Sequence, residues 1–261
     1  MIVDSHCHLD QLDLTPFDGN LSNVLLAAEA LGVEYFLNVC IDLTNFPAVL
    51  AIAQQYPNVA ASFGIHPNEI LAAEPTMEIL LPLADQPAVV AIGETGLDYF
   101  RTPVASHWQQ ERFRRHIQLA RHLRKPLIIH TRDAGEDTIR ILREERAADV
   151  GGVLHCFTDT YEIAKQGIDL NFYISFSGIV TYKNALELQH LAQQLPLDRL
   201  LIETDSPYLA PAPYRGKPNY PGYVFYVAEK IALLRKLDIA EVSAVTTANF
   251  YQLFNLRKAQ C

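Results

Sequence analysis

The chain has 261 residues, of which 49% are hydrophobic and 20% charged, with 12 Gly and 15 Pro. This length is enough for a sizeable core and is about that of one α/β barrel, and the composition excludes a disordered or fibrous chain. With 21 Lys and Arg against 30 Asp and Glu, the net charge of −9 excludes a broad basic surface for duplex nucleic acid, so an anionic substrate would need a local positive cluster or bound cations.

The chain also carries few signs of export. Its four cysteines are far apart and form no CxxC pair, which fits a reduced cytosolic protein rather than a disulfide scaffold. They are Cys7, Cys40, Cys156 and Cys261. The first residues, MIVDSHCHLD, lack the positive start of a secretory signal, and no apolar run approaches the ~18 residues of a membrane span. We therefore expect a cytoplasmic protein that does not contact a membrane.

Eight short apolar runs, about 20–40 residues apart, predict the strands of successive βαβ units. They are Ile2–His8, Glu34–Cys40, Val59–Ile65, Ala88–Glu94, Leu127–Thr131, Gly152–His155, Phe172–Phe176 and Leu200–Thr204. Several are apolar without alternation, as expected for parallel strands covered on both faces. Residues 1–261 are therefore predicted to form one α/β domain, a single (β/α)8 barrel of the TIM type. An open doubly wound sheet is the alternative, but no Gly-rich phosphate turn follows the first strand.

One predicted helix, Gln110–Lys125, carries an apolar stripe that should pack on the barrel. The stripe consists of Phe113, Ile117, Ala120 and Leu123. Arginines lie between these positions together with Glu111, a mixture that favours a solvated face over a nucleic-acid patch. Four histidines are predicted to lie on helices as surface or interhelical residues: His107, His116, His122 and His190.

The first strand brings two histidines to one face. Side chains alternate along a strand, so His6 and His8 point the same way, towards the barrel mouth, while Cys7 faces the helices. Two imidazoles at this spacing can share a metal ion, although an HxH pair on its own is a weak signal.

Further potential ligands follow at the ends of other strands, and the carboxyl ends of all strands in a barrel meet at one mouth. They are His66, Glu94, His130, His155 and Asp205. Together with His6 and His8, the last four of these residues make a set of four histidines and two carboxylates. Six ligands are too many for one tetrahedral zinc but suit two divalent ions ~3.5–4 Å apart. Mixed nitrogen and oxygen donors admit Zn, Mn, Fe or Co, and Mg less comfortably. Such a pair activates a water molecule as nucleophile, which suits hydrolysis of a phosphoester or an amide.

The motifs DSHCHLD, GIHP, GETGLDY, IIHTRDA, GGVLHCF, FYISFSGIVT, IETDSPYLAP and RGKPN resemble those of the TatD family of metal-dependent deoxyribonucleases, in particular its YcfH-like branch. The resemblance covers nearly the whole chain. It implies a barrel in which His6, His8 and Asp205 hold one metal ion, His130 and His155 hold the second, and Glu94 bridges the two. It also implies Mg²⁺- or Mn²⁺-stimulated hydrolysis of DNA, with 3′-end exonuclease action on single strands. The family often has Glu before the Asn of the last motif, where this chain has Pro218.

Several residues near these ligands are predicted to act on the substrate. Asp205 is a candidate base that takes the proton of the attacking water molecule. Glu94 is also predicted to be a catalytic residue. His66 is expected either to contact the phosphate or leaving group, as a general acid, or to orient a ligand. Phosphate sites in barrels often use the loops after the last two strands. The candidate substrate contacts are Arg132, Arg215, Lys217 and, from the resemblance, Asn219. Tyr99 and Phe100 are candidates for stacking on bases or for anchoring a loop.

Other functions use the same donors. Hydrolysis of a small amide is one, but related amidohydrolases often have a carboxylated Lys where this chain has Glu94. Deacylation of D-aminoacyl-tRNA is another and would need the same metal ions and loop. A non-catalytic barrel is disfavoured by the intact ligand set. We therefore predict a metal-dependent ester hydrolase with two divalent ions (Zn, Mn or Mg), single-stranded DNA ends as substrate, and no obligate protein partner.

Overall fold

The computed structural model describes residues 1–102 and 107–256, so Cys261 lies outside the described residues. Within them the strands are β1 (Ile2–Cys7), β2 (Val33–Asn38), β3 (Val59–Phe63), β4 (Val89–Asp98), β5 (Leu127–Arg132), β6 (Gly152–Leu154), β7 (Phe172–Phe176) and β8 (Leu200–Ile202). The α-helices are α1 (Leu21–Glu29), α2 (Phe46–Gln55), α3 (Met77–Ala84), α4 (His107–Leu123), α5 (Gly135–Glu144), α6 (Tyr161–Asp169), α7 (Leu186–Gln194), α8 (Val224–Arg235) and α9 (Ile239–Leu253). None of the helices in these ranges is long and apolar enough to cross a bilayer.

The eight strands form one sheet in the order of the sequence, β1 to β8, and alternate with helices. Neighbouring strands pair in parallel, as β5 and β6 do from Leu127 opposite Gly152 to Ile129 opposite Leu154. Residues 127–129 of β5 are all buried, which explains their lack of alternation, because both faces of the strand are covered. The predicted (β/α)8 barrel is confirmed.

The largest difference from the predicted strands is at β4, which continues past Glu94 to Asp98. The continuation pairs with β5 as far as Asp98 opposite Arg132. Gly96 permits it, because a Cβ at this position (φ +139°) would lie 2.0 Å from the carbonyl oxygen of His130. Only glycine allows so close an approach of the two backbones.

The chain divides into two compact units. The first contains Met1–Asn38, Tyr56–Val59 and the chain from Ser175 onward, and thus β1, β2 and β8. The second contains Val39–Gln55 and Ala60–Ile174, and thus β4, β5 and β6. Each unit has buried apolar strands of its own. That residues 1–261 form a single domain stays a prediction.

Helix α4 corrects two expectations about its polar residues. Phe113 and Ile117 are buried as predicted, but Arg112 and His116 are buried as well, each 1% exposed. The prediction that Arg112 belongs to a solvated face was therefore wrong. For His116, predicted to be a surface or interhelical residue, burial excludes the surface alternative. Periodicity marks the apolar stripe of a helix and does not reveal polar side chains that bond to buried backbone groups.

Candidate metal centre

The first candidate cluster lies in the first unit and consists of His6, His8 and Asp205. Oδ1 of Asp205 is 3.6 Å from Nε2 of His6 and 3.4 Å from Nε2 of His8. One donor atom from each of the three residues lies within 4.8 Å of the others. Both histidines are buried, whereas Asp205 is partly open to solvent. Three convergent nitrogen and oxygen donors of this kind fit one divalent transition-metal ion.

Backbone hydrogen bonds between β1 and the segment after β8 fix this first cluster. The Asp205 N–H donates to the His6 carbonyl at 2.9 Å, and the His8 N–H donates to the Ser206 carbonyl at 2.8 Å. Asp205 adopts φ +55°, a left-handed conformation that Asp tolerates better than most residues. The chain can therefore turn at this position while keeping the carboxylate beside the two imidazoles.

Asp4 supports the cluster from β1 without being one of its donors. Its carboxylate accepts hydrogen bonds from the Thr204 N–H at 2.8 Å and the Thr204 hydroxyl at 2.5 Å. Burial raises the pKa of Asp4 well above its usual range, although the bonds from Thr204 oppose that shift. Asp4 thus ties the end of β8 to β1.

The second candidate cluster lies in the second unit and consists of His66, Glu94, His130 and His155. Oε1 of Glu94 is 2.9 Å from Nδ1 of His130, 2.9 Å from Nε2 of His155 and 3.3 Å from Nε2 of His66. Burial alone would raise the pKa of Glu94, but the three surrounding imidazoles hold it well below its usual range. Glu94 is therefore a buried carboxylate with several nitrogen donors around it.

Asp98 and Asn68 stand behind the second cluster, and the sequence analysis did not select either. Oδ2 of Asp98 is 3.3 Å from Nε2 of His130 and accepts a hydrogen bond from Nδ2 of Asn68 at 2.7 Å. The backbone N–H of Asn68 donates to Nδ1 of His66 at 3.1 Å. A signal was present, because Asp98 lies within the motif GETGLDY, but the strand was predicted to stop at Glu94.

Helix α4 holds the segment 65–69, which carries His66 and Asn68. Three buried polar side chains, spaced i, i+3 and i+7 on one face, bond to the backbone of that segment. The contacts are Gln109 Nε2 to the Pro67 carbonyl at 2.9 Å, Arg112 Nη1 to the His66 carbonyl at 2.9 Å, and the Ile65 N–H to His116 Nε2 at 3.2 Å. The buried polar residues of α4 therefore position His66.

Glu203 is a second acid, after Asp98, that was not among the predicted site residues. It is fully buried, its N–H donates to the Phe176 carbonyl at 3.1 Å, and its carboxylate lies within 4.8 Å of a ring nitrogen of His6. It precedes Asp205 by two residues, so the alternation that singled out His6 and His8 also pointed to it. The first unit therefore offers a further carboxylate next to its cluster.

The two arginines predicted to contact the substrate are both exposed. In the second unit, Cζ of Arg132 lies 4.0 Å from the ring centroid of Phe100, which is itself 63% exposed. In the first unit, Cζ of Arg215 lies 4.4 Å from the ring centroid of Tyr182. Stacking on a ring orients a guanidinium and leaves its N–H groups available to an anion.

The loop that follows β8 places the other two predicted contacts differently. Lys217 is exposed, whereas Asn219 is fully buried. Nδ2 of Asn219 donates to the carbonyls of Thr204 at 2.9 Å and Tyr208 at 2.5 Å. Asn219 therefore holds the loop against the segment after β8, and its direct contact with substrate stays a prediction, as does that of Lys217.

Both candidate clusters combine imidazole nitrogens with a carboxylate, a donor set that suits divalent metals used in hydrolysis. In barrels of this fold, active sites lie at the carboxyl ends of the strands. His8 and Asp205 follow β1 and β8, and His155 follows β6. The fold and these donors together define a metal-dependent hydrolase of the (β/α)8 class.

Comparisons with known proteins give the family. The model of the TatD-related DNase family matches residues 3–255, and the chain belongs to this family. It is 50% identical over 256 residues to the uncharacterized metal-dependent hydrolase YcfH of Escherichia coli K12, covering 98% of this chain and 96% of that protein. It is 34% identical over 251 residues to the 3′-5′ ssDNA/RNA exonuclease TatD of Salmonella typhimurium, covering 94% and 96%. The crystal structure of the TatD homologue YjjV from Escherichia coli K12 superposes with a TM-score of 0.87 at 29% identity, covering 98% of each chain.

The protein is thus a metal-dependent hydrolase acting on ester bonds, and the predicted class and fold are confirmed. The assignment of individual ligands to individual ions stays a prediction.

Proposed function

We propose that this chain is a phosphodiesterase that removes nucleotides from the 3′ ends of single-stranded DNA with two divalent ions. The observation that carries the proposal is the presence of one imidazole and carboxylate donor set in each unit. A relative named as a 3′-5′ ssDNA/RNA exonuclease, 34% identical over 94% of this chain, supports the substrate class.

The ligands divide between the two clusters. We assign one ion to His6, His8 and Asp205, and the second to His130 and His155, with Glu94 as the carboxylate that serves both. Divalent ions held by these residues would lower the pKa of a water molecule and neutralise negative charge on the phosphodiester. Such local positive charge matters in a chain whose net charge is −9.

His66 is better suited to donate a proton than to bind an ion. Its Nδ1 accepts the Asn68 N–H, so in the neutral ring the single hydrogen is on Nε2, which faces Glu94. A nitrogen that carries hydrogen cannot ligate a metal, but it can donate to an oxygen. We assign His66 to the leaving oxygen of the cleaved P–O bond and Asp205 to the proton of the attacking water molecule.

Single-stranded ends suit the charge distribution. Arg132 beside Phe100 and Arg215 beside Tyr182 pair an exposed cation with an aromatic ring. Cations contact phosphates and rings stack on unpaired bases without regard to sequence. A strand end engages few phosphates and therefore does not need the broad basic surface that this chain lacks.

The test is a substrate comparison. Metal-replete protein is incubated with single-stranded DNA labelled at its 3′ or 5′ end, beside D-aminoacyl-tRNA and a small amide. Immediate release of the 3′ label with gradual shortening of the 5′-labelled strand is the expected result. Exclusive release of the aminoacyl group, or cleavage of the amide alone, would instead establish one of the two alternative functions.

A further inference from the structure

The imidazole of His130 is held between two carboxylates, and each ring nitrogen faces one of them. Nδ1 lies 2.9 Å from Oε1 of Glu94, and Nε2 lies 3.3 Å from Oδ2 of Asp98. A neutral imidazole has one nitrogen that donates and one that accepts. The partner of one nitrogen therefore decides what the other can offer.

Asp98 has little freedom to move. It is 1% exposed, its Oδ1 accepts the Arg101 N–H at 2.9 Å, and its own N–H donates to Oε1 of Gln109 at 3.1 Å. Its Oδ2 accepts from Asn68 as well. Among the described residues, Arg101 and Asn68 both donate to this carboxylate, so it is held as an acceptor that faces Nε2 of His130.

We propose that Asp98 is a positioning residue that keeps the hydrogen of His130 on Nε2 and so presents the Nδ1 lone pair to the ion of the second cluster. This inference rests on the proposed function, in which His130 is a ligand. A carboxylate behind a ligating histidine fixes its ring and tautomer, and losing such a partner typically lowers metal affinity about 10–100-fold.

Asn68 links this arrangement to the second histidine of the cluster. Its side chain donates to Asp98 while its backbone N–H donates to Nδ1 of His66. The two rings therefore turn different nitrogens inward: His130 offers an Nδ1 lone pair, and His66 offers an Nε2 hydrogen. One ring is set as a ligand and the other as a donor by the same short network.

The first experiment determines which ring nitrogen of His130 carries the hydrogen and which binds the metal ion. The imidazole ¹⁵N spectrum of the full chain, with ¹⁵N-labelled histidine and His130 assigned by substitution, is recorded at alkaline pH without metal and then with zinc. With zinc bound, hydrogen on Nε2 and zinc on Nδ1 are the expected results. Without metal, the carboxylates of Glu94 and Asp98 compete for the hydrogen of the ring, so the change between the two spectra is the quantity that is compared. Zinc on Nε2, or hydrogen remaining on Nδ1 once zinc is bound, would overturn the proposal.

The second experiment measures affinity. Zinc binding to wild type, Asp98→Asn and the control Asp137→Asn is followed by calorimetry. Asp137 is a matched carboxylate of the same unit that accepts from the Tyr99 hydroxyl at 2.7 Å and contacts none of the cluster histidines. We expect Asp98→Asn to weaken one of two zinc equivalents about 10–100-fold and Asp137→Asn to weaken neither.

Wild-type affinity at both sites in Asp98→Asn would contradict the proposed role of Asp98. If wild type itself binds a single equivalent, held by the first cluster, the two-ion function fails instead. The two failures are distinguishable, because wild type binds two zinc equivalents in the first and one in the second.

Discussion

At the scale of single residues, Glu94 matters most in the second cluster because three imidazoles converge on one of its oxygens. His155→Ala should remove one metal equivalent, and Glu94→Ala, at the residue assigned to both ions, should remove at least one. Either change should lower hydrolysis by at least about 100-fold. Glu94 lies within β4 and His155 directly follows β6, and both are polar residues of the cluster rather than part of the apolar core. Circular dichroism and the unfolding transition should therefore show a folded barrel. Metal content and turnover are measured together.

The control for these variants is His190→Ala, because His190 is exposed on α7 and bonds to Gln194. It should keep wild-type metal content and rate. Near-normal turnover of either His155→Ala or Glu94→Ala would refute the two-metal assignment.

His66 gives a second prediction at this scale, since its role as donor separates it from the ligands. His66→Ala should keep the full metal content while kcat falls about 10²–10⁴-fold, the usual size of a general-acid contribution. Elemental analysis of the purified variant measures its metal content, and steady-state kinetics measure its kcat. Loss of one metal equivalent would identify His66 as a ligand.

At the scale of elements, two of the α4 arginines that pair with carboxylates, Arg112 and Arg121, lie in different surroundings. The buried Arg112 pairs with Glu74, and it also donates to the carbonyls of His66 and Glu69 in segment 65–69. Arg121 pairs with Asp149 where both are largely solvated. Arg112→Met should therefore lower the free energy of unfolding by about 3 kcal/mol or more, and Arg121→Met by less than about 1 kcal/mol. Denaturant titration measures both, and equal losses would contradict the positioning role of Arg112.

The same helix predicts a pH dependence through His116. Burial lowers the pKa of His116 to about 4 from 6.5, although the hydrogen bond from its Nδ1 to the Arg112 carbonyl opposes that shift. Its Nε2 accepts the Ile65 N–H and so carries no hydrogen in the folded protein. The unfolded chain therefore binds the proton first, and stability that is complete above pH 6.5 is lost as pH falls towards 4. The loss amounts to about 3 kcal/mol.

Because other carboxylates titrate in this window, the test is a difference between two proteins. Unfolding free energies of wild type and His116→Gln are compared across the same pH range. The two curves should converge as the pH falls, since Gln cannot take up the proton. Parallel curves would show that His116 does not titrate as inferred.

These elements also mark how far the sequence could predict the structure. The spacing of apolar runs predicted all eight strands, and alternation placed His6 and His8 on one face, because both are local properties of a strand. Asp98 was missed because β4 continues through Gly96, and that continuation depends on the neighbouring β5. Arg112 and His116 were misplaced for a similar reason, since their partners are backbone groups about 40–50 residues away, which no helical period encodes.

At the scale of the whole molecule, a net charge of −9 limits how many phosphates the protein can engage. Three exposed or loop cations are candidates for phosphate contact: Arg132, Arg215 and Lys217. Each phosphate contact with a single strand contributes about −0.7 to the slope of log affinity against log salt, so the magnitude of the total slope should not exceed about 2.

Arg215→Ala should reduce the magnitude of this slope by about 0.7 and raise KM for single-stranded DNA. It should leave KM for a small activated phosphodiester nearly unchanged, because that substrate does not reach the loop. The control is Arg146→Ala, an arginine 72% exposed beside Asp149, which should alter neither quantity. A wild-type slope of about −5 would require basic contacts that the inferred surface does not provide, and equal KM changes on both substrates would refute the phosphate role of Arg215.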